Sequence, residues 1–229
     1  MFDNESFWNN RYIKTQWLGS GPGSRGIAQY YKAHILNEML SKYTIGSIVD
    51  IGCGDMCWVQ TELLQENLLA GIDFLGIDIS DVIVERNTQL FPDFKFIKSD
   101  ISKVQVEKPT DLVLCFDVLI HQPTLDHFES ALKNILAATK SYCLISYHNP
   151  EQPSKPVLPE GFDQVNNQEE EFQKKLKELR ASEESKETGF GATNNFGNLT
   201  DFIKRFDSSL NIEKVGDYRF QTLYLLTRN

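Results

Sequence analysis

Apolar positions change period several times along the chain, and the changes divide it into elements. Over IAQYYKAHILNEML (27–40), Ile27, Tyr30, Tyr31, Ile35 and Met39 recur at helical spacing, which predicts a helix. SIVDI (47–51) is a short apolar run around one acid, as expected of a buried strand. CWVQTELLQENL (57–68) predicts a helix with Asp55 at its N-cap. The alternation then repeats, with a strand at 73–79, a helix at 81–90 closed by Pro92, and a strand at 94–100. The nearly continuous apolar run at 111–120 reads as a central parallel strand covered on both faces. An amphipathic helix at 124–140, with Thr124 as N-cap, leads to a further strand at 141–148.

Other tracts break this rhythm. Residues 1–25, ending in LGSGPGSRG, fit neither helix nor strand and read as a loop rich in amides and hydroxyls. Residues 149–197 open with the proline-rich NPEQPSKPVLPEG, which is incompatible with a central strand. They continue as a charged helix at 168–187 with Phe172, Leu176 and Leu179 as a narrow apolar stripe, and run into the glycine-rich loop GFGATNNFGN. A helix at 199–206 restores the pattern, followed by strands at 210–215 and 218–227 joined by a turn at Gly216–Asp217. Alternating strands and helices require crossovers, hence an α/β fold with a doubly wound, mostly parallel sheet and a C-terminal antiparallel hairpin. The expected organisation is one domain over 1–229, with an N-terminal cap and helix at 1–46 and a substrate-covering insertion at 149–197.

Composition narrows the class. A chain of 229 residues suffices for one ordinary core, and no apolar run reaches the ~18–20 residues of a membrane span. The start MFDNESFWNN resembles neither a secretory signal nor a transit peptide, and the four cysteines, expected as reduced thiols, lead to the expectation of a cytoplasmic protein. A formal charge of −9 argues against a nucleic-acid partner, which is usually met by a basic face. Cys53, Cys57, Cys115 and Cys143 lack the spacing of a zinc site; reduced thiols and no metal are expected.

The chemistry concentrates at predicted strand ends. In VDIGCGDMCW, Gly52 and Gly54 follow the first strand, where a ligand can approach bare backbone and the amides of the next helix. The second strand ends in GIDIS, placing Asp78 to accept both hydroxyls of a ribose. The third ends in KSD, where Asp100 can take the amino group of an adenine. Asp50, Asp78 and Asp100 then form an anionic pocket for a cationic nucleoside, and no phosphate-loop lysine suggests a triphosphate. Each feature alone has a structural alternative, a tight turn for the glycines and a helix cap for any one acid.

Together, VDIGCGDM, GIDIS, KSDIS and DLVLCFDVLIHQ resemble the motifs of class I S-adenosylmethionine-dependent methyltransferases, over about 47–148. The resemblance implies a Rossmann-like, seven-stranded sheet with one antiparallel strand and S-adenosyl-L-methionine as cofactor. It also implies Asp50, Gly52 and Gly54 at the methionine end, Asp78 at the ribose, Asp100 and Ile101 at the adenine, and Asp117 at the active-site mouth. Cys53, Ile79 and Phe116 complete that cofactor set. FWNNRYIKTQWLGSGPGSRG looks similar to a subgroup associated with bacterial capsule and surface-glycan gene clusters, which implies that Trp8, Arg11, Tyr12, Ser20, Gly21 and Ser24 fold over cofactor and substrate.

Methyl transfer demands alignment above all, and a hydroxyl nucleophile gains from a base. His121 and His148 follow the fourth and fifth strands and are the candidate base and substrate contact, with Tyr147 beside them. Their alternatives are a backbone hydrogen bond and a turn. His34 and His127 lie within helices. The Cys-Phe-Asp-Val run of the fourth strand lacks the Asn/Asp-Pro-Pro-aromatic pattern of amide and nucleobase methylation. That leaves a small molecule, a sugar or phosphorylated intermediate of surface-polysaccharide synthesis, whose anionic group could meet Arg11, Lys14 or Arg25. The rival readings are a non-catalytic subunit of the same fold and an NAD-dependent oxidoreductase. The latter is disfavoured by Cys57 at the third glycine position of the dinucleotide motif.

Overall fold

The computed structural model describes residues 3–60, 69–103, 105–148, 163–182 and 191–228. Its strands are β1 (Ser47–Ile51), β2 (Asp73–Asp78), β3 (Lys95–Lys98), β4 (Thr110–Cys115), β5 (Thr139–His148), β6 (Asn211–Tyr218) and β7 (Gln221–Thr227). They form one seven-stranded sheet in the order β3-β2-β1-β4-β5-β7-β6. All pairings are parallel except those of β7 with β5 and β6. The chain winds outward from β1 to β3, then returns to lay β4 on the other side of β1. The crevice at this reversal is where open α/β sheets bind ligands.

Strand alternation deals side chains to two cores. Val49, Ile51, Val113, Cys115, Cys143 and Ile145 join one cluster with α4 (Leu125–Ala138) and α6 (Leu199–Phe206). Ile48, Leu112, Leu114 and Leu144 join the other with α2 (Ile27–Lys42). Thr124 caps α4 as expected, and Ser80 caps α3 (Asp81–Leu90) through the Ile83 amide. No helix among the described residues is long and apolar enough to cross a membrane.

Several expectations are corrected. Residues 4–14 are a helix, α1 (Asn4–Lys14), started by Asp3, whose side chain accepts from the Ser6 amide. Its buried face includes Arg11 with Phe7 and Tyr12, so the inward stripe contains a charge and escapes an apolar count. Asp55 pairs with Arg25, and a 3-10 turn occupies Cys57–Gln60. The remainder of the helix expected at 57–68 lies outside the described residues. The fourth strand stops at Cys115 because Asp117 adopts a left-handed φ of 63°, which ends the extended chain before a 3-10 turn at Leu119–His121. The hairpin turns at Arg219–Phe220, not Gly216–Asp217. Gly216 instead sits at a register shift in β6, where a Cβ would overlap the Tyr31 hydroxyl. In the insertion, α5 (Asp163–Arg180) places Phe172, Leu176 and Leu179 against Leu18, forming a small separate core. Residues 149–162 and 183–190 of the expected substrate-covering insertion lie outside the described residues.

Candidate active site

The glycine turn is tied to the end of β2. Gly52 and Cys53 donate their amides to the Ile77 carbonyl at 2.7 and 3.0 Å. Gly54 donates to Asp78 Oδ2 at 3.0 Å, and Ser80 to Oδ1 at 2.9 Å. Gly52 has φ 72° and a Cβ there would overlap Val118; Gly54 has φ 55° and a Cβ would overlap Ser20. Only glycine meets both demands without strain. Burial raises the Asp78 carboxyl to about 6, against the two amide bonds that favour its charge.

Around this turn lies a cavity of about 570 Å³, within the usual range for small-ligand sites. Its wall includes Gly52, Gly54, Asp78, Ile79, Asp100, Ile101, Phe116 and Asp117, with Trp8, Tyr12 and Ser24 from the cap and His121 from the 3-10 turn after β4. Asp100 also accepts from the Ser102 amide at 3.0 Å and pairs with Lys103 at 2.9 Å. Asp50 and Cys53 do not line the cavity. Asp50 is buried on the α2 side of β1, between Gly76 and Leu114, and burial pushes it to about 7 despite the charge of Lys32. Its Oδ2 has no hydrogen-bond partner among the described residues. Cys53 points inward, 3.8 Å from Asn87 Nδ2, as a small core residue.

The N-terminal segment is locked over the turn. Ser20 Oγ accepts from the Asp55 amide at 2.9 Å and donates to Asp55 Oδ1 at 3.0 Å, and it lies 3.1 Å from the Tyr12 hydroxyl. Arg25 forms an ion pair with Asp55. Burial works to raise Asp55, but the charge and hydrogen bonds of Arg25 hold it below the usual carboxylate range. Farther along, Arg86 donates to the Tyr12 carbonyl at 3.1 Å, and Lys98 pairs with Glu5.

A second cavity, of about 920 Å³, shares Trp8, Ser20, Asp117 and His121 with the first. Its wall adds Arg11, the Gly21–Gly23 loop, Ile27, Ile120, Arg219 and Phe220, together with Glu169, Gln173 and Leu176 of α5. Glu169 meets Arg219 through both carboxylate oxygens, at 2.6 and 3.0 Å, and accepts from the Ile27 amide at 3.0 Å. One side chain therefore joins α5, the start of α2 and the terminal hairpin. Asp117 stands between the cavities, paired with Lys32 and accepting from the Tyr218 hydroxyl at 3.3 Å.

The two histidines hold the same stretch of chain, 191–197. His121 Nδ1 lies 2.8 Å from the Ala192 carbonyl. A carbonyl only accepts, so Nδ1 carries the proton and Nε2 keeps its lone pair. Burial lowers the His121 pKa, which keeps the ring neutral. His148 donates from Nε2 to the Asn194 carbonyl at 3.0 Å and lines neither cavity. Tyr147, expected at the substrate, is fully buried against Phe128, and its hydroxyl accepts from the Phe196 amide at 2.8 Å. Both therefore secure the loop instead of facing the chambers, because β5 turns Tyr147 into the α4 core.

Lys32, Glu169, Tyr218 and Arg219 were not anticipated. Lys32 had a signal: it lies at helical spacing from Ala28 and Leu36, on the buried face of α2. The others meet only across long sequence separations, which no local pattern reports.

The family model for a methyltransferase domain matches residues 46–202. Solved structures share the fold at low identity. The magnesium protoporphyrin IX methyltransferase of Synechocystis PCC 6803, with bound SAH, is 18% identical with a TM-score of 0.57, covering 99% of this chain and 100% of that one. The N-methyltransferase NodS of Bradyrhizobium japonicum WM9, in complex with S-adenosyl-l-homocysteine, is 12% identical with a TM-score of 0.59, covering 99% of each chain. DesVI of Streptomyces venezuelae is 12% identical with a TM-score of 0.57, covering 95% and 97%. No curated protein matches the sequence.

Proposed function

The chain belongs to the methyltransferase domain family, and from that membership we propose that it transfers a methyl group from S-adenosyl-L-methionine to a small molecule. One observation carries this reading: a glycine-and-acid cavity opens onto a larger chamber, and the two meet at Trp8, Ser20, Asp117 and His121. The donor set of the smaller cavity fits the cofactor. Asp78 offers carboxylate lone pairs to ribose hydroxyls, Asp100 and Ile101 border the adenine region, and the bare backbone of Gly52 and Gly54 receives the methionine end. The buried carboxyl of Asp50, with one oxygen unpartnered, adds a negative potential suited to a cation. When bound, S-adenosylmethionine supplies an electrophilic methyl on a sulfonium.

The chain's own residues align and deprotonate the acceptor. His121 stays neutral with Nδ1–H fixed on Ala192, which leaves Nε2 to take a hydroxyl proton. Asp117, its charge balanced by Lys32, helps keep the resulting imidazolium favourable. Trp8 packs edge-on against His121 at 5.2 Å and restricts the ring. The cap of residues 3–26 and α5 contribute to the chamber walls, which limits the water around these groups. We assign the acceptor to the sugar and phosphorylated-intermediate class, in the cytoplasm, and to surface-polysaccharide synthesis. The last assignment is supported by the character of the N-terminal segment alone.

The test is calorimetry with S-adenosylhomocysteine, followed by labelled-methyl transfer into a pool of nucleotide sugars and phospho-metabolites. Saturable uptake and a labelled product are expected. A well-folded chain that binds no S-adenosylhomocysteine would overturn the assignment.

A further inference from the structure

We propose that Lys32 sets how strongly the site holds its charged methyl donor: from outside both cavities, its ammonium offsets the Asp117 carboxylate at the neck through which the methyl must pass. This rests on the methyl-transfer reading, because it concerns the cofactor of that site.

The backbone of Asp117 is strained to put it there. Its φ of 63° is left-handed, a conformation that a residue other than glycine keeps only where its surroundings impose it. They do so from several elements. The Asp117 amide donates to Ser146 Oγ at 2.9 Å, and Ser146 in turn donates to Gln221 Oε1 at 3.0 Å. The Tyr218 hydroxyl donates to Asp117 Oδ1 at 3.3 Å, and Oδ2 pairs with Lys32. Gly23 lies so close to the carboxylate that a Cβ there would overlap it. One carboxylate is thus held in a fixed orientation on the walls of both cavities.

Lys32 itself lines neither cavity. It is 2% exposed, on the inward face of α2, with Nζ 5.2 Å from the Phe116 ring centre and 5.0 Å from that of Tyr218. A buried ion pair gains little over apolar packing of the same volume, so stability gives no reason to keep this one. Its position does. Phe116 and Asp117 wall the smaller cavity, and Lys32 approaches both from behind. The positive charge on the donor sulfur vanishes as the methyl leaves. A bare carboxylate at the neck would therefore hold the charged donor more firmly than the transition state and slow transfer. With Lys32 behind it, Asp117 keeps its hydrogen-bonding oxygens while its charge is offset.

The test is the preference of the full chain for S-adenosylmethionine over S-adenosylhomocysteine. It is read as the ratio of their Kd values in calorimetry at about pH 8, where an ordinary carboxylate is ionised. The two ligands differ by one methyl and its charge, so a defect of shape alone weakens both alike. Lys32→Met leaves Asp117 bare and should raise the preference about three- to tenfold. Asp117→Asn leaves Lys32 bare and should lower it by about as much. The double variant Lys32→Met/Asp117→Asn removes both charges and should return to within about twofold of wild type, as should Lys32→Arg. Asp50, Arg11 and His121 are present throughout and cancel in the comparison. Should Lys32→Met fail to fold, the fall in Asp117→Asn and its reversal in the double variant still decide. Single variants that leave the ratio unchanged or shift it in the same direction, or a double variant that does not return, would overturn the proposal. A wild type that binds neither ligand would instead sink the methyl-transfer reading beneath it.

Discussion

The smaller cavity draws chiefly on strand ends, with Ile51, Gly52 and Gly54 at β1, Asp78 and Ile79 at β2, 98–101 at β3 and 116–118 after β4, joined by residues of α1 and the loop that follows it. The larger one gathers α1, the Gly21–Gly23 loop, α5, Gly191 and Thr193, and the Arg219–Phe220 turn, contributions from nearly the whole length of the chain. The first relies on backbone geometry that parallel strands impose wherever the sheet reverses. The second relies on side chains that meet only when cap, insertion and hairpin are docked together. A site of the first kind tolerates little change in its glycines, whereas one of the second kind can alter its acceptor by exchanging loops.

The largest effect expected from this contrast is at Gly52. Gly52→Val places a branched side chain at positive φ and into Val118, so it should abolish detectable S-adenosylhomocysteine uptake in calorimetry. It should also cost about 1–3 kcal/mol in denaturant unfolding. Retained uptake would show that the turn does not receive the cofactor. Next is His121, on the shared wall. His121→Ala should lower kcat by about 10²–10⁴-fold and change S-adenosylhomocysteine affinity by no more than about threefold. Because burial depresses the His121 pKa, the neutral base persists as pH falls, and the acid limb of kcat should lie below about pH 6.5.

A smaller effect tests whether the two cavities are separable. Glu169→Gln weakens the junction of α5, α2 and the hairpin, and should raise the acceptor KM by about tenfold. The partly exposed pair should cost only about 1 kcal/mol of stability. Cofactor affinity should be unchanged; a parallel loss would mean that the chambers act as one. The smallest effect concerns Asp50. Its folded pKa of about 7 lies above the ordinary carboxylate value, so its contribution to stability is full at low pH and is lost as pH rises through 7. A cationic ligand favours the ionised form, so cofactor affinity should climb about three- to tenfold between about pH 6 and 8, with proton release. Asp50→Asn should flatten both dependences in calorimetry across buffers.

Much of this architecture was legible before any coordinates. The apolar runs marked β1, β2, β4 and β5, and the glycines and acids at their ends named a ligand face, because a strand buried on both sides must be apolar and its polar terminus stands out. The same logic failed at α1, whose inward stripe carries Arg11, and did not show the pairing of Asp55 with Arg25. It also failed at Tyr147 and His148, whose placement depends on which way β5 faces and on where residues 191–197 return.

By itself, then, the sequence determined the parallel sheet, the glycine turn and the acids around it, since short-range periodicity and backbone stereochemistry impose them within a few residues. Tertiary structure alone decided which charges neutralise one another and which groups wall the acceptor chamber. Arg25 with Asp55, Lys32 with Asp117 and Glu169 with Arg219 are contacts between distant segments. Their energies depend on burial and separation, and neither exists until the chain has closed.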